Sequence, residues 1–340
     1  MPKAHALLAG SGVGTPAVRT FLDLDSTSDG GALLHALWRA HRVQGVGLAA
    51  GASNSGAVLI TSDPHRSRLP FAPHAFDLVR APPALRNASA LFELDRVVRP
   101  GGIVVAAAPA SIDWAAFPQQ LRAKTGLPVA AHRPEDGWAP LSTRTRGDCL
   151  GCWKFVEDLD KWVAYANATL VPVGVGSPSV RTLLDLGAGT GALAEVLWRK
   201  YGVRGAVGIS RDWAGLPFME TMGSRGVLGV EADIFAPLPF PPASFDVVHS
   251  SFSGPRYAPS PAAFDAFFVE VDRVLRPGGF VVFTHWMLDG GMLDGHIDDV
   301  EARFLEIAAR LRWVRHQFGV FKGEHREINL RFEKRGGRGS

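Results

Sequence analysis

The segment Asp185-Leu-Gly-Ala-Gly-Thr-Gly191 carries the residue types and spacing most able to do chemistry in this chain. Gly187, Gly189 and Gly191 alternate, with Ala188 and Thr190 between them, so backbone N–H groups can approach a ligand that a Cβ would hold away. A helix opening directly after them would add unpaired donors and a favourable dipole. Asp185 stands two residues before the first glycine, where a carboxylate can accept from a cationic amino group. Taken alone the pattern is ambiguous, because Gly187, Gly189 and Ala192 also satisfy the G-x-G-x-x-G/A spacing of dinucleotide sites. Two histidines complete the set. His249 and His285 fall at the predicted ends of two strands, and in open parallel sheets ligands sit at such carboxyl ends, so both are candidate bases. For each, a histidine bonded within the fold is the competing reading.

Positioning these residues requires a sheet. Ser179–Leu186 reads as a buried parallel strand, and Ala192–Tyr201 as a helix with Leu193, Val196 and Leu197 on one face. Short strands follow at Ala206–Ile209, Gly226–Val230 and Phe245–His249. Pro261–Leu275 reads as a helix stopped by Arg276-Pro-Gly-Gly279, before a fifth strand at Phe280–His285. A helix over Asp298–Arg312 leads to Trp313–Phe321 and Glu327–Phe332, two runs bracketing Lys322-Gly-Glu324 as a hairpin. Another helix, Trp153–Leu170, introduces the whole series. The alternation predicts an α/β fold: a doubly wound, mainly parallel seven-stranded sheet ending in an antiparallel C-terminal hairpin.

The first half repeats this order. Val13–Asp25 returns as Val175–Gly187, Leu69–Val79 as Leu238–Val248, and Glu93–Val105 as Glu270–Val282. A unit this long predicts duplicated domains rather than a solenoid, here two tandem Rossmann-like domains over residues 10–148 and 149–335. In the first copy the glycine turn has become Asp23-Leu-Asp-Ser-Thr-Ser-Asp-Gly-Gly31, and Asp25 and Thr27 fall near the places of Gly187 and Gly189. Side chains there obstruct close approach, so a pseudo-domain without cofactor is expected, packing against the second domain; an altered loop for a different ligand is the alternative. Asp246 and Asp272 recur as Asp77 and Asp95 even though the first copy has lost its glycines. That retention points to structural roles, such as capping or pairing with Arg273 and Arg96.

The second copy resembles class I S-adenosylmethionine-dependent methyltransferases of the small-molecule, type 11-like group. The marks are Leu183-Leu-Asp-Leu-Gly-Ala-Gly-Thr-Gly191, Glu231-Ala-Asp233, Pro239–Val248 and Glu270–Phe280. The style also resembles plant methyltransferase-like proteins. The resemblance implies that the glycine turn and Asp185 hold the methionine part of S-adenosylmethionine and that Asp233 accepts from the adenine amino group. It also implies that Ser250 and His249 border the sulfonium and the acceptor. One departure stands out: the family's acid at the end of the second strand is replaced by Ser210, with Asp212 nearby as a substitute. The expected function is methyl transfer to a small-molecule acceptor, catalysed in the second domain. An inactive methyltransferase-like scaffold or cofactor-binding protein is the alternative, and an NAD-dependent oxidoreductase a weaker third.

Bulk properties restrict the remaining classes. Hydrophobic residues at 46% and charged residues at 20% describe a globular chain. No apolar run reaches the roughly 18–20 residues of a spanning helix, and residues 1–10 are too short in their apolar part for a signal peptide, so no membrane partner is expected and cytoplasm is the default. A net charge of +3 gives no reason to expect nucleic acid. Cys149 and Cys152 form the only cysteine pair, short of the roughly four ligands of a zinc site, so no metal is expected. Oligomeric state has no signature in the sequence.

Overall fold

A computed structural model of the chain describes residues 18–24, 32–48, 58–60, 69–71, 75–81, 93–94, 96–106, 159–203, 205–210, 222, 225, 227–251, 257–287, 300–322 and 326–336. The first sheet comprises Thr20–Asp23 (β1), Gln44–Leu48 (β2), Val58–Ile60 (β3), Phe76–Ala81 (β4) and Val98–Ala106 (β5). Its order is β3-β2-β1-β4-β5, with every pair parallel. Helix α1 (Ala32–His41) follows β1 and buries Leu33, Leu34, Leu37 and Trp38.

The second sheet comprises Thr182–Leu186 (β6), Gly205–Ser210 (β7), Leu228–Glu231 (β8), Phe245–Ser251 (β9), Leu275–Met287 (β10), Trp313–Lys322 (β11) and Arg326–Lys334 (β12). Four helices belong to it among the described residues: α2 (Leu159–Thr169), α3 (Ala192–Lys200), α4 (Pro261–Val274) and α5 (Val300–Arg310). The order β11-β12-β10-β9-β6-β7-β8 is parallel from β10 to β8, and β12 and β11 add antiparallel to its other edge. Counting from β6, the five parallel strands follow the same 3-2-1-4-5 order as the first sheet. Burial of all five β6 residues fits a central strand covered by helices on both faces. The order reverses between β6 and β9, and the crevice at their carboxyl ends is where an open sheet takes a ligand.

The two sheets share a third feature, an aspartate that ties β4 to β1 and β9 to β6. Asp246 Oδ2 accepts from the N–H groups of Arg181 and Thr182 at 2.8 and 2.9 Å, and Arg276 donates to Oδ1 at 2.8 Å. Asp77 Oδ2 accepts from Arg19 and Thr20 at the same two distances, and Arg99 donates to its Oδ1 at 2.5 Å. The partner differs from the expectation: Arg276, not Arg273, meets Asp246. Arg273 instead pairs with Glu270 and donates to the carbonyls of Leu238 and Phe240. A cation three residues on, inside the bulge that separates Leu275 from Phe280 in the β9–β10 register, is simply nearer the carboxylate. Gly279 lies in that bulge, where a Cβ would come within 2.7 Å of the Asp246 carbonyl. Asp272 receives the Trp313 indole N–H at 2.7 Å and Lys334 at 3.0 Å, holding the last hairpin to α4. Asp95 lies outside the described residues.

Where the sheets meet, Phe71 bridges Val230 and the Glu231 N–H donates to the Pro70 carbonyl at 2.8 Å. β8 would otherwise be an open edge with unpaired backbone groups, and this contact partly covers it. One buried apolar cluster runs through both sheets. No helix among the described residues is long and apolar enough to cross a membrane.

Candidate active site

β6 ends at Leu186, and the glycine turn leads straight into α3 at Ala192. Gly187, Gly189 and Gly191 all hold positive φ, at 76°, 55° and 77°. The three glycines do different work. A Cβ on Gly191 would lie 2.7 Å from Met222, so this glycine serves internal packing. A Cβ on Gly189 would meet nothing within 4 Å. The turn is held by the Gly187 and Ala188 N–H groups, which both donate to the Ile209 carbonyl at 2.9 Å. Gly208 allows β7 to come this close, because a Cβ there would lie 2.7 Å from that of Ala188. The N–H groups of Gly189 and Thr190 take no partner among the described residues, and the Thr190 hydroxyl is enclosed without one. The donors offered to a ligand therefore come from the middle of the turn, not its start.

Asp185 and His249 face each other across the β6–β9 pair. Asp185 Oδ1 lies 2.7 Å from His249 Nδ1, and the Tyr165 hydroxyl lies 2.7 Å from His249 Nε2. Tyr165, on α2, also hydrogen-bonds the Thr284 hydroxyl on β10. The histidine is 1% exposed, so both ring nitrogens are engaged inside the protein and neither is presented to an acceptor. In the charged form Nδ1–H donates to Asp185, Nε2–H to Tyr165, and the tyrosine O–H to Thr284. Burial pulls the imidazole pKa down, but Tyr165 and the Asp185 carboxylate outweigh it and leave it pushed up to about 9. A folded-state pKa above the unfolded value near 6.5 contributes stability that is complete below that value and is lost as pH rises through about 9. Thermal midpoints measured between pH 6 and pH 10 are therefore expected to fall across that window, and His249→Gln to flatten the fall. A wild-type midpoint that does not fall would exclude a charged His249.

The other expected residues are distributed around the same edge. Ser250 is buried beside Leu186 in the β6–β9 register, and the next hydroxyl, that of Ser251, is enclosed without a partner among the described residues. Ser210 ends β7 opposite Glu231 of β8. Asp233, just past β8, is exposed, and its Oδ1 receives the Phe235 N–H at 3.0 Å. His285 lies near the carboxyl end of β10. Asp212, Cys149 and Cys152 lie outside the described residues. No group of His, Cys, Asp or Glu able to hold a metal occurs among the described residues. Sequence reasoning missed Tyr165 and Thr284. The one available signal was the repeat itself: the position of His249 carries Arg80 in the first half, a second cation opposite a second strand-one aspartate.

Residues 184–283 match the family model described as Methyltransferase domain. That stretch contains the glycine turn, β9 and most of β10. By this match, residues 184–283 are similar to a methyltransferase domain. The residues present fit S-adenosylmethionine, the cofactor that such a domain implies: an open approach at Gly189, enclosed hydroxyls at Thr190 and Ser251 without a partner among the described residues, and a carboxylate at Asp185. The chain is similar to the "Probable methyltransferase PMT2" of Arabidopsis thaliana, 32% identical over 194 residues that cover 53% of this chain and 28% of that protein. It is also similar to a "Fatty-acid O-methyltransferase" of Mycolicibacterium smegmatis, 33% identical and covering 31% of this chain and 36% of that protein. Among solved structures, N-methyltransferase NodS from Bradyrhizobium japonicum in complex with S-adenosyl-L-homocysteine aligns with a TM-score of 0.39 and 16% identity, covering 54% of this chain and 91% of that one. The chain thus spans about a quarter of the length of the plant relatives it matches.

Proposed function

We propose that this chain is an S-adenosylmethionine-dependent methyltransferase acting on a small-molecule acceptor, with residues 149–335 binding the cofactor and catalysing transfer. Residues 10–148 are a degenerate copy that binds no cofactor and braces the edge of the second sheet through Pro70 and Phe71. The observation that carries this reading is Gly189, a left-handed glycine whose missing side chain no protein atom requires. The turn keeps that approach open for a ligand. When bound, the cofactor supplies a methyl group made electrophilic by positively charged sulfur. The chain's own residues position it: the Gly189 and Thr190 N–H groups and Asp185 hold the amino-acid end, and Asp233 receives the adenine amino group. Ser210 stands where a ribose-binding acid is usual, with Asp212 as the substitute.

The acceptor we propose is a carboxylate. Such a nucleophile has no proton to lose, which suits a strand-four histidine committed to Asp185 and Tyr165. With such an acceptor the bound cofactor would supply the methyl group, and no side chain of this chain would have to take up a proton. The similarity to a relative named for fatty acids and O-methylation supports the same class. If instead an alcohol or phenol is methylated, His285 is the candidate base. Titration of the purified chain with S-adenosylhomocysteine by calorimetry tests the first claim, with micromolar affinity and one site per chain expected. Two sites would overturn the degenerate copy. No binding by folded protein would favour the scaffold reading. Label transfer from methyl-labelled cofactor to carboxylic acids, but not to the matching alcohols, tests the second.

A further inference from the structure

We propose that the residue facing the strand-one aspartate from the fourth strand decides whether that aspartate takes a cationic ligand. His249, steadied by Tyr165, leaves Asp185 able to receive the cofactor's ammonium group, whereas Arg80 closes Asp23 to it. The inference rests on the cofactor assignment made above.

The two aspartates occupy the same register. Asp185 pairs with His249 along β6–β9, as Asp23 pairs with Arg80 along β1–β4. The chemistry of the two partners differs. Arg80 reaches both oxygens of Asp23, Nε to Oδ1 and a terminal nitrogen to Oδ2, each at 2.7 Å. This forked pair uses the geometry that makes guanidinium–carboxylate contacts strong and sets the guanidinium charge against both oxygens, which opposes an incoming ammonium. An imidazole has one N–H on that side and can take only one oxygen. His249 takes Oδ1 of Asp185, and Oδ2 receives no hydrogen bond among the described residues. The carboxylate stays buried, 4% exposed, with one oxygen committed and the other open.

Tyr165 is a positioning residue in this arrangement. A lone histidine opposite Asp185 could rotate its ring. The hydroxyl on Nε2, itself bonded to Thr284, fixes the ring plane and aims Nδ1 at Oδ1. The groups facing His249 are thus Asp185 from β6, Tyr165 from α2 and Thr284 from β10. Helix α2, ahead of the glycine turn, would thus support the cofactor site through Tyr165 without touching the cofactor.

The test compares two ligands on the full chain by calorimetry: S-adenosylhomocysteine, which carries the amino-acid end, and 5′-methylthioadenosine, which lacks it. For His249→Arg, S-adenosylhomocysteine affinity should fall more than about 100-fold, because a forked guanidinium would then occupy both oxygens of Asp185 and leave neither for the ligand's ammonium. For Tyr165→Phe the fall should be about tenfold, the scale of one hydrogen bond. Methylthioadenosine affinity should stay within about twofold of wild type in both variants, since it presents no ammonium to Asp185. Equal losses for both ligands would mean that the two residues only support the fold, and no loss for either ligand would equally overturn the proposal. If His249→Arg does not fold, Tyr165→Phe decides alone, because it removes one oxygen and keeps the ring. A folded wild type that binds neither ligand would overturn the cofactor assignment as well, whereas normal wild-type binding with unaffected variants would overturn only this inference.

Discussion

Replacing Gly189 by arginine is expected to weaken S-adenosylhomocysteine binding more than about 100-fold while lowering the thermal midpoint by only a few degrees. The separation of the two effects is what gives the prediction its force. At φ 55° a side chain carries the left-handed penalty of about 1 kcal/mol, which sets the small stability cost. Nothing lies within 4 Å of the new Cβ, so no packing is broken. The arginine side chain instead enters the space that the turn leaves open. Gly191→Ala provides the contrast: its Cβ would press on Met222 at 2.7 Å with φ at 77°, so stability should suffer first. Calorimetry with scanning fluorimetry on both variants distinguishes the outcomes. A Gly189→Arg chain that is folded and binds normally would place the cofactor elsewhere.

Asp246→Ala is expected to destabilise the chain by about 3–5 kcal/mol, the range for leaving a paired, partly buried charge without its partner. Two backbone N–H groups, the Thr182 hydroxyl and the Arg276 guanidinium all converge on this one carboxylate, which joins β9 to β6 at the end of the strands opposite the glycine turn. Removal strands the Thr182 N–H at a fully buried residue and frees the Arg276 charge beside it, while the Thr182 hydroxyl keeps the Ser244 carbonyl as its acceptor. Asp246→Asn should cost less, since an amide oxygen can still accept on the Thr182 side. Chemical denaturation of both variants measures the difference. Equal stability of Asp246→Ala and wild type would show that the network contributes nothing net. The same substitution at Asp77 should destabilise the first sheet and leave the stoichiometry of S-adenosylhomocysteine binding unchanged.

Much of the scaffold was legible in the residues. β6 was read as ending at Leu186, as it does, because a continuous apolar run followed by alternating glycines allows few other structures. Helix α4 was read one residue too long, since Leu275 already pairs with Phe245 and so begins β10. The breaker sequence Arg276-Pro-Gly-Gly279 is a bulge within that strand rather than a loop before it, a distinction that depends on what β9 offers as a partner.

The site was legible in part and for a definable reason. Asp185 and the glycine turn are contiguous, so spacing alone reveals them. The commitment of His249 was invisible, because its partners lie 64 and 84 residues away and the tyrosine's other partner 119 residues away. Sequence separation of that size carries no spacing signal. The same holds for Arg276 displacing Arg273 as the partner of Asp246, which turns on the depth of one bulge.

By itself, the sequence determined the alternation of strands and helices, the position of the glycine turn and the repeat of that pattern in both halves. All of these are written in local periodicity, glycine spacing and direct self-comparison. Only the tertiary structure decided what each polar group touches: that His249 is locked between Asp185 and Tyr165, that Arg80 forks onto Asp23, and that Phe71 covers the edge at Val230. Those choices follow from strand register, which brings distant residues within 3 Å of one another and which no local pattern encodes.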